Sequence, residues 1–283
     1  MTLIQARPRV LNAADSARVR VLVDADLIAH CALDARLRVV PDLAPRRFGG
    51  QFWGVDGPHR DLRAAAFHGG NLIPLGDDLA GLELIARQLA RTGRGCSSIV
   101  GPADGVAAMW DVLSRRWGPA RAVRWGQPLL CIRTPAPVEA DPGVRLVHPT
   151  ELDRFLPAAV AMFTEELDIS PIAHDAGRGY RNRVADLIGA GRAFARFDDR
   201  GRVIFKAEIG ALSPATAQIQ GVWVRRELRG QGLGTAAMAA VVRLALRRAP
   251  SVSLYVNDYN EAGRAMYARL GFVQVGTLRT VLF

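Results

Sequence analysis

The second half of the chain shows the clearest pattern of apolar and polar positions. Short, mostly apolar runs separated by turn residues predict strands at 144–147, 193–197, 203–212, 217–224 and 252–257. Helical spacing of apolar residues predicts helices at 150–167, 180–190, 236–248 and 260–272, the first capped by Thr150. A loop is expected at 170–179, and two last strands at 272–276 and 278–283. The predicted order is strand, two helices, three strands, helix, strand, helix and two strands.

The first half of the chain is less regular. Its pattern predicts helices at 15–37 and 77–91 and a third ending at Arg116, with short strands at 52–55, 63–67 and 97–100. Between the halves, the segment 135–143 contains three prolines and neither helical nor alternating spacing, so we interpret it as a linker. We therefore expect an α/β domain at 1–134 and a second domain at 144–283.

Composition excludes several classes of protein. No apolar run approaches the ~20 residues of a membrane span, and the first seven residues lack the apolar core of a signal peptide, so we expect a soluble, cytoplasmic protein. The three cysteines are far apart in the sequence and have no neighbouring histidines, which disfavours both a disulfide framework and a metal site. We expect all three to be small buried side chains.

The formal net charge of +10 raises the question of nucleic acid. The basic residues are almost all arginine, Lys206 being the one lysine, and they are scattered along the sequence instead of forming a run. This distribution disfavours a nucleic-acid partner, and such a surface would attract any acidic ligand equally well.

A glycine-rich run, Arg229-Gly230-Gln231-Gly232-Leu233-Gly234-Thr235, joins the strand at 217–224 to the following helix. A turn of this kind at a helix start leaves backbone N–H groups aimed at one point, where they favour a phosphate. No lysine follows the glycines, which excludes a P-loop. The looser dinucleotide fingerprint is also satisfied, with Asp258 as its acidic residue, but five residues separate the strand from the glycines and little chain remains to complete such a fold. A glycine turn with no ligand is the remaining alternative.

A second motif follows downstream. Asn260, Tyr267 and the triplet Leu270-Gly271-Phe272 lie on the helix predicted at 260–272. Together with the Arg-x-x-Gly-x-Gly spacing of the glycine run, this motif resembles the GNAT family of acyl-CoA N-acyltransferases. The resemblance covers roughly residues 143–283 and implies an α/β (α+β) fold with a central mixed, splayed sheet. It suggests by analogy that the first half is a degenerate GNAT-like domain that binds no CoA, with an unrelated α/β domain as the alternative.

The resemblance implies acetyl-CoA as co-substrate and no metal. In the family's geometry the pantetheine lies along the strand that precedes the glycine loop, the loop holds the pyrophosphate, and the next strand and helix complete the site. The implied CoA-binding residues are Val222, Val224, Arg229, Gly230, Gln231, Gly232, Leu233, Gly234, Thr235, Asn257, Asn260 and Gly263. For Asn260, a helix cap is the alternative role.

Two residues are candidates for catalysis. Tyr267 matches the family's general-acid position, and a half-buried supporting tyrosine is the alternative. Glu208 lies in an otherwise apolar strand, where desolvation would suit a general base, but Lys206 has the same strand parity and could form an ion pair with it. Glu165, Glu166, Asp168 and a chain of waters are further possibilities for the base.

The resemblance implies transfer of an acetyl group to a primary amine by direct attack in a ternary complex. The segment 168–180 is expected to form part of the acceptor wall, where His174 is interpreted as a loop residue and not as a catalyst. The sequence does not choose among small-molecule and protein amines. A non-catalytic acyl-CoA-binding or sensory module is the alternative function, and a homodimer is left open.

Overall fold

The computed structural model describes residues 7–59, 61–173 and 177–283. The chain divides into two compact units. Counting only the described residues, the first unit comprises those within 7–129, 255–259 and 274–283, and the second comprises those within 130–254 and 260–273. The first unit therefore combines the N-terminal part of the chain with two short segments from near its C-terminal end.

The first unit begins with three helices among short strands. Its elements are β1 (Arg9–Val10), α1 (Ser16–Asp24), α2 (Cys31–Val39), α3 (Pro45–Phe48), β2 (Gly50–Asp56), β3 (Leu62–Gly69), β4 (Asn71–Leu75), α4 (Leu79–Leu89), β5 (Ser98–Pro102), α5 (Ala103–Trp117), most of β6 (Ala122–Ile132) and most of β12 (Val273–Leu282). The strands are ordered β1-β2-β3-β4-β5-β12-β6. Strands β4 and β5 are parallel, whereas β1 to β4 and the pair β5 and β12 run antiparallel.

Strand β3 shows why this sheet is covered on both faces. Successive side chains of a strand point to opposite faces. Ala64 and Ala66 belong to a core with residues of α4 and α5, whereas Ala65 and Phe67 belong to a second core with residues of α1, α2 and α3. The strand is apolar at consecutive positions because both faces are buried.

The second unit contains the remaining elements. These are β7 (Arg145–Leu146), α6 (Leu152–Leu167), α7 (Arg178–Gly189), β8 (Ala193–Phe197), β9 (Val203–Leu212), β10 (Ala217–Val224), α8 (Leu233–Ala245), β11 (Val252–Tyr255, its last residue in the first unit) and α9 (Glu261–Arg269). The strands are ordered β11-β10-β9-β8-β7, antiparallel except for β10 and β11, which are parallel. Phe155, Val184 and Ile188 of α6 and α7 pack on β8 and β9 to form the core of one sheet face.

Several predicted elements need correction. The helix expected at 15–37 is two helices, α1 and α2, separated by residues 25–30. Thr150 does not cap the helix expected at 150–167, because a short 3-10 turn capped by His148 precedes α6. The helix after the glycine run begins at Leu233 and not at 236. The two strands expected at 272–283 form the single strand β12, since Gly276 adopts no positive φ that would end it.

The predicted strands at 193–197, 203–212 and 217–224 are confirmed with those bounds. All three cysteines are buried, as expected. In the described parts of the chain, no helix is both long enough and apolar enough to cross a membrane. The same parts contain no group of three or more His, Cys, Asp or Glu side chains suited to a metal ion.

Candidate functional site

The glycine run forms an open turn between β10 and α8. After a 3-10 turn at Arg226–Leu228, Gly230 and Gly232 adopt φ of 76° and 80°, in the left-handed region that favours glycine. A Cβ atom added at either position would meet no other atom within 4 Å. Gly234 differs, because its Cβ would lie 3.1 Å from Cγ2 of Val224. The first two glycines therefore border open space, and the third allows α8 to pack closely on β10.

The start of α8 offers free backbone donors. Thr235 and Ala236 donate to the carbonyl of Gly232, whereas the N–H groups of Leu233 and Gly234 donate to no protein group among the residues that the structure describes. The first turn of α8 contains no acidic residue, and no side chain caps it. These amides and the helix dipole together favour an anion at this point. Since the neighbouring glycines leave the space open, the loop fits a pyrophosphate group.

Arg229 is fixed at the entrance to the loop. Its Nε donates to the carbonyl of Val224 at 2.9 Å, and its Nη2 donates to Oε2 of Glu165 at 2.6 Å. The other carboxylate oxygen of Glu165 accepts a hydrogen bond of 3.1 Å from Nε1 of Trp223. Burial favours the neutral acid, but the hydrogen bonds from Arg229 and Trp223 outweigh it and hold the pKa of Glu165 below its ordinary value. The remaining polar side chain of the loop, Gln231, donates to the carbonyl of Glu227.

Strands β10 and β11 part after two residue pairs. They are in register only at Ala217 with Val252 and at Gln218 with Ser253. Strand β10 stays paired with β9 as far as Val224, but its register shifts between Gln220 and Trp223. This bulge leaves Gly221 and Val222 without a residue partner in β9 as well. The predicted splayed strand is therefore present. Val222 has no residue partner in β9 or β11, whereas Val224 pairs with Phe205 of β9 and its carbonyl accepts from Arg229.

A buried ion pair lies beneath the bulge. Nζ of Lys206 is 3.2 Å from Oε2 of Glu208, and Gln220 donates to the other carboxylate oxygen at 2.9 Å. Both oxygens of Glu208 are thus engaged, and the residue is only 5% exposed. The ion pair that the strand parity of Lys206 indicated is confirmed. Whether Glu208 also accepts a proton during catalysis stays a prediction.

Helix α9 carries the predicted acid. Tyr267 is 7% exposed and packs edge-on against Phe272, with ring centroids 5.7 Å apart. Burial raises the pKa of the Tyr267 phenol above its ordinary value, so the hydroxyl keeps its proton at neutral pH. Asn260 caps the helix by accepting from the N–H of Gly263 at 2.9 Å. A Cβ at Gly263 would lie 2.8 Å from that same asparagine side chain. The helix cap is therefore a sufficient explanation for a glycine at this position.

Asn257, which is also predicted to bind CoA, belongs to the first unit. There its Oδ1 accepts a hydrogen bond of 2.9 Å from Gln127, which also accepts from Thr280. The Asn257 side chain is therefore held by Gln127 of β6, which Thr280 of β12 fixes in turn.

The expected acceptor segment is described only in part. Residues 174–176, including His174, lie outside the described residues. The end of the segment is anchored by Tyr180, which donates to the carbonyl of Ala159 at 2.9 Å and whose pKa burial raises to about 12. No local pattern in the sequence indicated the polar roles of Gln220 and Trp223. Gln220 meets Glu208 through the register of β10 with β9, and Trp223 meets Glu165 of α6 through the packing of that helix.

Residues 154–272 match the family model described as the Acetyltransferase (GNAT) family. This segment belongs to the GNAT family. Residues 50–155 match a domain of unknown function, DUF4081. No curated protein matches the chain.

Solved GNAT structures resemble the chain along its whole length. A GNAT-family acetyltransferase from Colwellia psychrerythraea is 13% identical with a TM-score of 0.58, over 98% of this chain and 99% of that one. A GCN5-related N-acetyltransferase from Sphaerobacter thermophilus is 17% identical with a TM-score of 0.58, over 100% and 97%. A tandem GNAT protein from the clavulanic acid biosynthesis pathway is 18% identical with a TM-score of 0.55, over 98% and 98%. At these identities the likeness shows the fold alone, and it confirms the predicted GNAT fold class.

The first unit repeats the order of the GNAT elements without an open loop. Strands β4 and β5 are parallel over only two pairs, Asn71 with Ser98 and Leu72 with Ile99, as β10 and β11 are. The counterpart of the glycine loop is therefore the turn between β4 and α4. In that turn the carboxylate of Asp78 accepts from the N–H of Gly81 and occupies the helix start itself.

Proposed function

We propose that the chain is an acetyl-CoA-dependent N-acetyltransferase, which transfers the acyl group to a primary amine by direct attack in a ternary complex. The observation that carries this proposal is the open glycine loop at the start of α8, next to a strand that has parted from its neighbour. A backbone that is free of strand partners can bind an amide-bearing arm, and uncapped helix amides can bind its diphosphate.

The loop and β10 then have separate roles. The free amides of Leu233 and Gly234 and the guanidinium of Arg229 hold the pyrophosphate, for which Arg229 exchanges its bond with Glu165. The main chain of Val222 and Val224 holds the pantetheine, and the strand N–H groups there polarise the thioester carbonyl as charge develops on its oxygen. Charge-assisted hydrogen bonds contribute about 1.5–3 kcal/mol each, so a few of them account for micromolar affinity.

Proton removal from the acceptor is the larger chemical obstacle. An alkylamine with a pKa of about 10.4 is neutral in only about one molecule in 2,500 at pH 7. Glu208 is the proposed base, and to serve as one it exchanges a bond with Lys206 or Gln220 for a water or the amine. The leaving thiolate is less demanding, since its conjugate acid has a pKa of about 8.5. Tyr267, which stays protonated, is the proposed donor to that sulfur.

The first test is thermal stabilisation of the purified protein by ligands. Acetyl-CoA and desulfo-CoA should both raise the melting temperature, whereas NAD should not. Stabilisation by NAD alone would support a dinucleotide site and refute the proposal. A panel of small amines, amino acids and peptides is then assayed for thiol release from acetyl-CoA.

The engaged carboxylate of Glu208 favours one alternative, a non-catalytic acyl-CoA-binding module. Such a module would bind acetyl-CoA as tightly but release no thiol with any amine. Thiol release above the rate of spontaneous hydrolysis would exclude it.

A further inference from the structure

The single lysine of this chain occupies an unusual position. The sequence contains 37 basic residues, and all except Lys206 are arginine. Lys206 is also fully buried, at 0% exposure, in the middle of β9. An arginine there would bring a wide planar group with five N–H donors that need partners, whereas an ammonium is compact and needs only three. The site therefore selects for an ammonium in a chain that otherwise uses guanidinium.

The surroundings of Lys206 give the ammonium two polar partners. Its Nζ donates to Oε2 of Glu208 at 3.2 Å and to the backbone carbonyl of Gly221 at 3.0 Å. It also lies 5.6 Å from the centroid of the Phe155 ring, within the range of a cation–π contact. Burial lowers the pKa of Lys206, and the neighbouring carboxylate of Glu208 opposes that effect.

The carbonyl that Lys206 binds belongs to the bulge of β10. Gly221 has φ of 59°, a left-handed conformation that an L side chain rarely adopts. A Cβ at this position would lie 2.8 Å from Nζ of Lys206 and 3.0 Å from Cε of Met162. The glycine is therefore required both by its backbone angle and by the close approach of the ammonium.

The bulge decides where the free part of β10 points. Gly221 and Val222 lack residue partners in β9, and the pairing with β11 ends at Gln218. Because neither residue has a partner in a neighbouring strand, the contact from Lys206 contributes to the orientation of the peptide unit that joins them. The bond from Lys206 to the carbonyl of Gly221 acts directly on the peptide unit whose N–H belongs to Val222.

We propose that Lys206 is a positioning residue, whose ammonium holds the Gly221 carbonyl so that the Val222 amide points at the thioester arm of acyl-CoA. This inference rests on the proposed function, because it assigns Lys206 a task in the same site. The competing explanation is that Lys206 serves only as the counter-ion that allows Glu208 to be buried.

Two ligands separate these explanations. Acetyl-CoA uses both the loop and β10, whereas ADP carries a diphosphate but no pantetheine and uses the loop alone. Isothermal titration calorimetry measures both affinities on the full chain. The variant is the double substitution Lys206→Met with Glu208→Gln, which removes the ammonium without leaving a buried carboxylate unpaired.

We expect this variant to bind acetyl-CoA about 2- to 12-fold more weakly, the loss typical of one hydrogen bond between neutral groups, here the Val222 amide and the thioester carbonyl, and to bind ADP as wild type does. Gly221→Ala, whose Cβ displaces the ammonium, should give the same selective loss and provides a second route if the first variant does not fold. The matched control is Val184→Ala, which weakens the same core at a residue 2% exposed and should lower the melting temperature while leaving the ratio of the two affinities unchanged.

Unchanged affinity for both ligands in the folded double variant would show that Lys206 is a counter-ion only and would overturn the inference. Equal losses for both ligands would overturn it as well, because they indicate general damage to the unit. A wild-type protein that binds ADP but not acetyl-CoA would instead refute the proposed function.

Discussion

Substitution of Gly232 by alanine tests whether the open loop is a binding site or only a turn. Gly232 is the N-cap of α8 and has φ of 80° and ψ of −12°. An added Cβ would meet no protein atom within 4 Å, so the substitution causes no clash in the protein. The Cβ would instead occupy the space onto which the free amides of Leu233 and Gly234 open.

The two consequences differ in size. An L residue in the left-handed region costs roughly 1–2 kcal/mol, which lowers the melting temperature of a chain this large by about 2–4 °C per kcal/mol. If the Cβ prevents a diphosphate oxygen from reaching one charge-assisted bond, the loss of affinity is about 1.5–3 kcal/mol, or about 10- to 100-fold in Kd.

Gly93 provides a matched control. It has φ of 78°, and a Cβ there would also meet nothing within 4 Å, but it lies in a loop of the first unit. Gly93→Ala should therefore lower the melting temperature by a similar amount and leave acetyl-CoA affinity unchanged. Differential scanning fluorimetry without ligand and calorimetry with acetyl-CoA measure the two effects separately.

The reasoning fails if Gly232→Ala and Gly93→Ala have the same melting temperature and the same Kd for acetyl-CoA. The space beside Gly232 would then be a feature of the turn and would receive no part of the ligand.

Three further predictions concern the catalytic residues, the number of acetyl-CoA sites and the stability of the fold in acid. Tyr267→Phe should lower turnover by about 100-fold or less, whereas Glu208→Gln should lower it more, both measured by thiol release at equal folded fraction; a fully active Gln variant would remove Glu208 from the mechanism. Titration with acetyl-CoA should give one site per chain, because Asp78 occupies the corresponding helix start of the first unit; a stoichiometry of two would contradict this. The hydrogen bonds from Arg145 hold the pKa of Glu151 at about 2, below its ordinary value of 4.5, so this pair stabilises the fold above that ordinary value and stops doing so as the pH falls towards 2. The melting temperature should consequently fall more between about pH 5 and pH 2.5 in wild type than in Glu151→Gln, and equal decreases would exclude the pair as a source of acid sensitivity.

The sequence predicted best where local pattern and fold agree. Strands β8, β9 and β10 combine apolar runs with clear turn residues, and their bounds were predicted without error. At the start of helix α5 and within β12, the local pattern and the structure disagree. The glycine at 101 marks no open turn, because the ring of Pro74 fills the space beside it, and Gly276 lies inside a single strand where two strands were predicted. The sequence does not distinguish a glycine in an open loop from one in a packed turn or a strand. The residues that surround it in space decide its role.

By itself, the sequence determined the glycine loop, its arginine and the order of the elements in the second unit, because each depends on local spacing. Tyr267 was a candidate acid because of the family resemblance. Only the tertiary structure decided that Lys206, Glu208 and Gln220 form one buried cluster, that Glu165 joins Arg229 to Trp223, and that the last strand belongs to the first unit. Those features depend on strand register, on a two-residue bulge and on contacts between distant segments. They arise from the pairing of whole elements and leave no periodic signal along the chain.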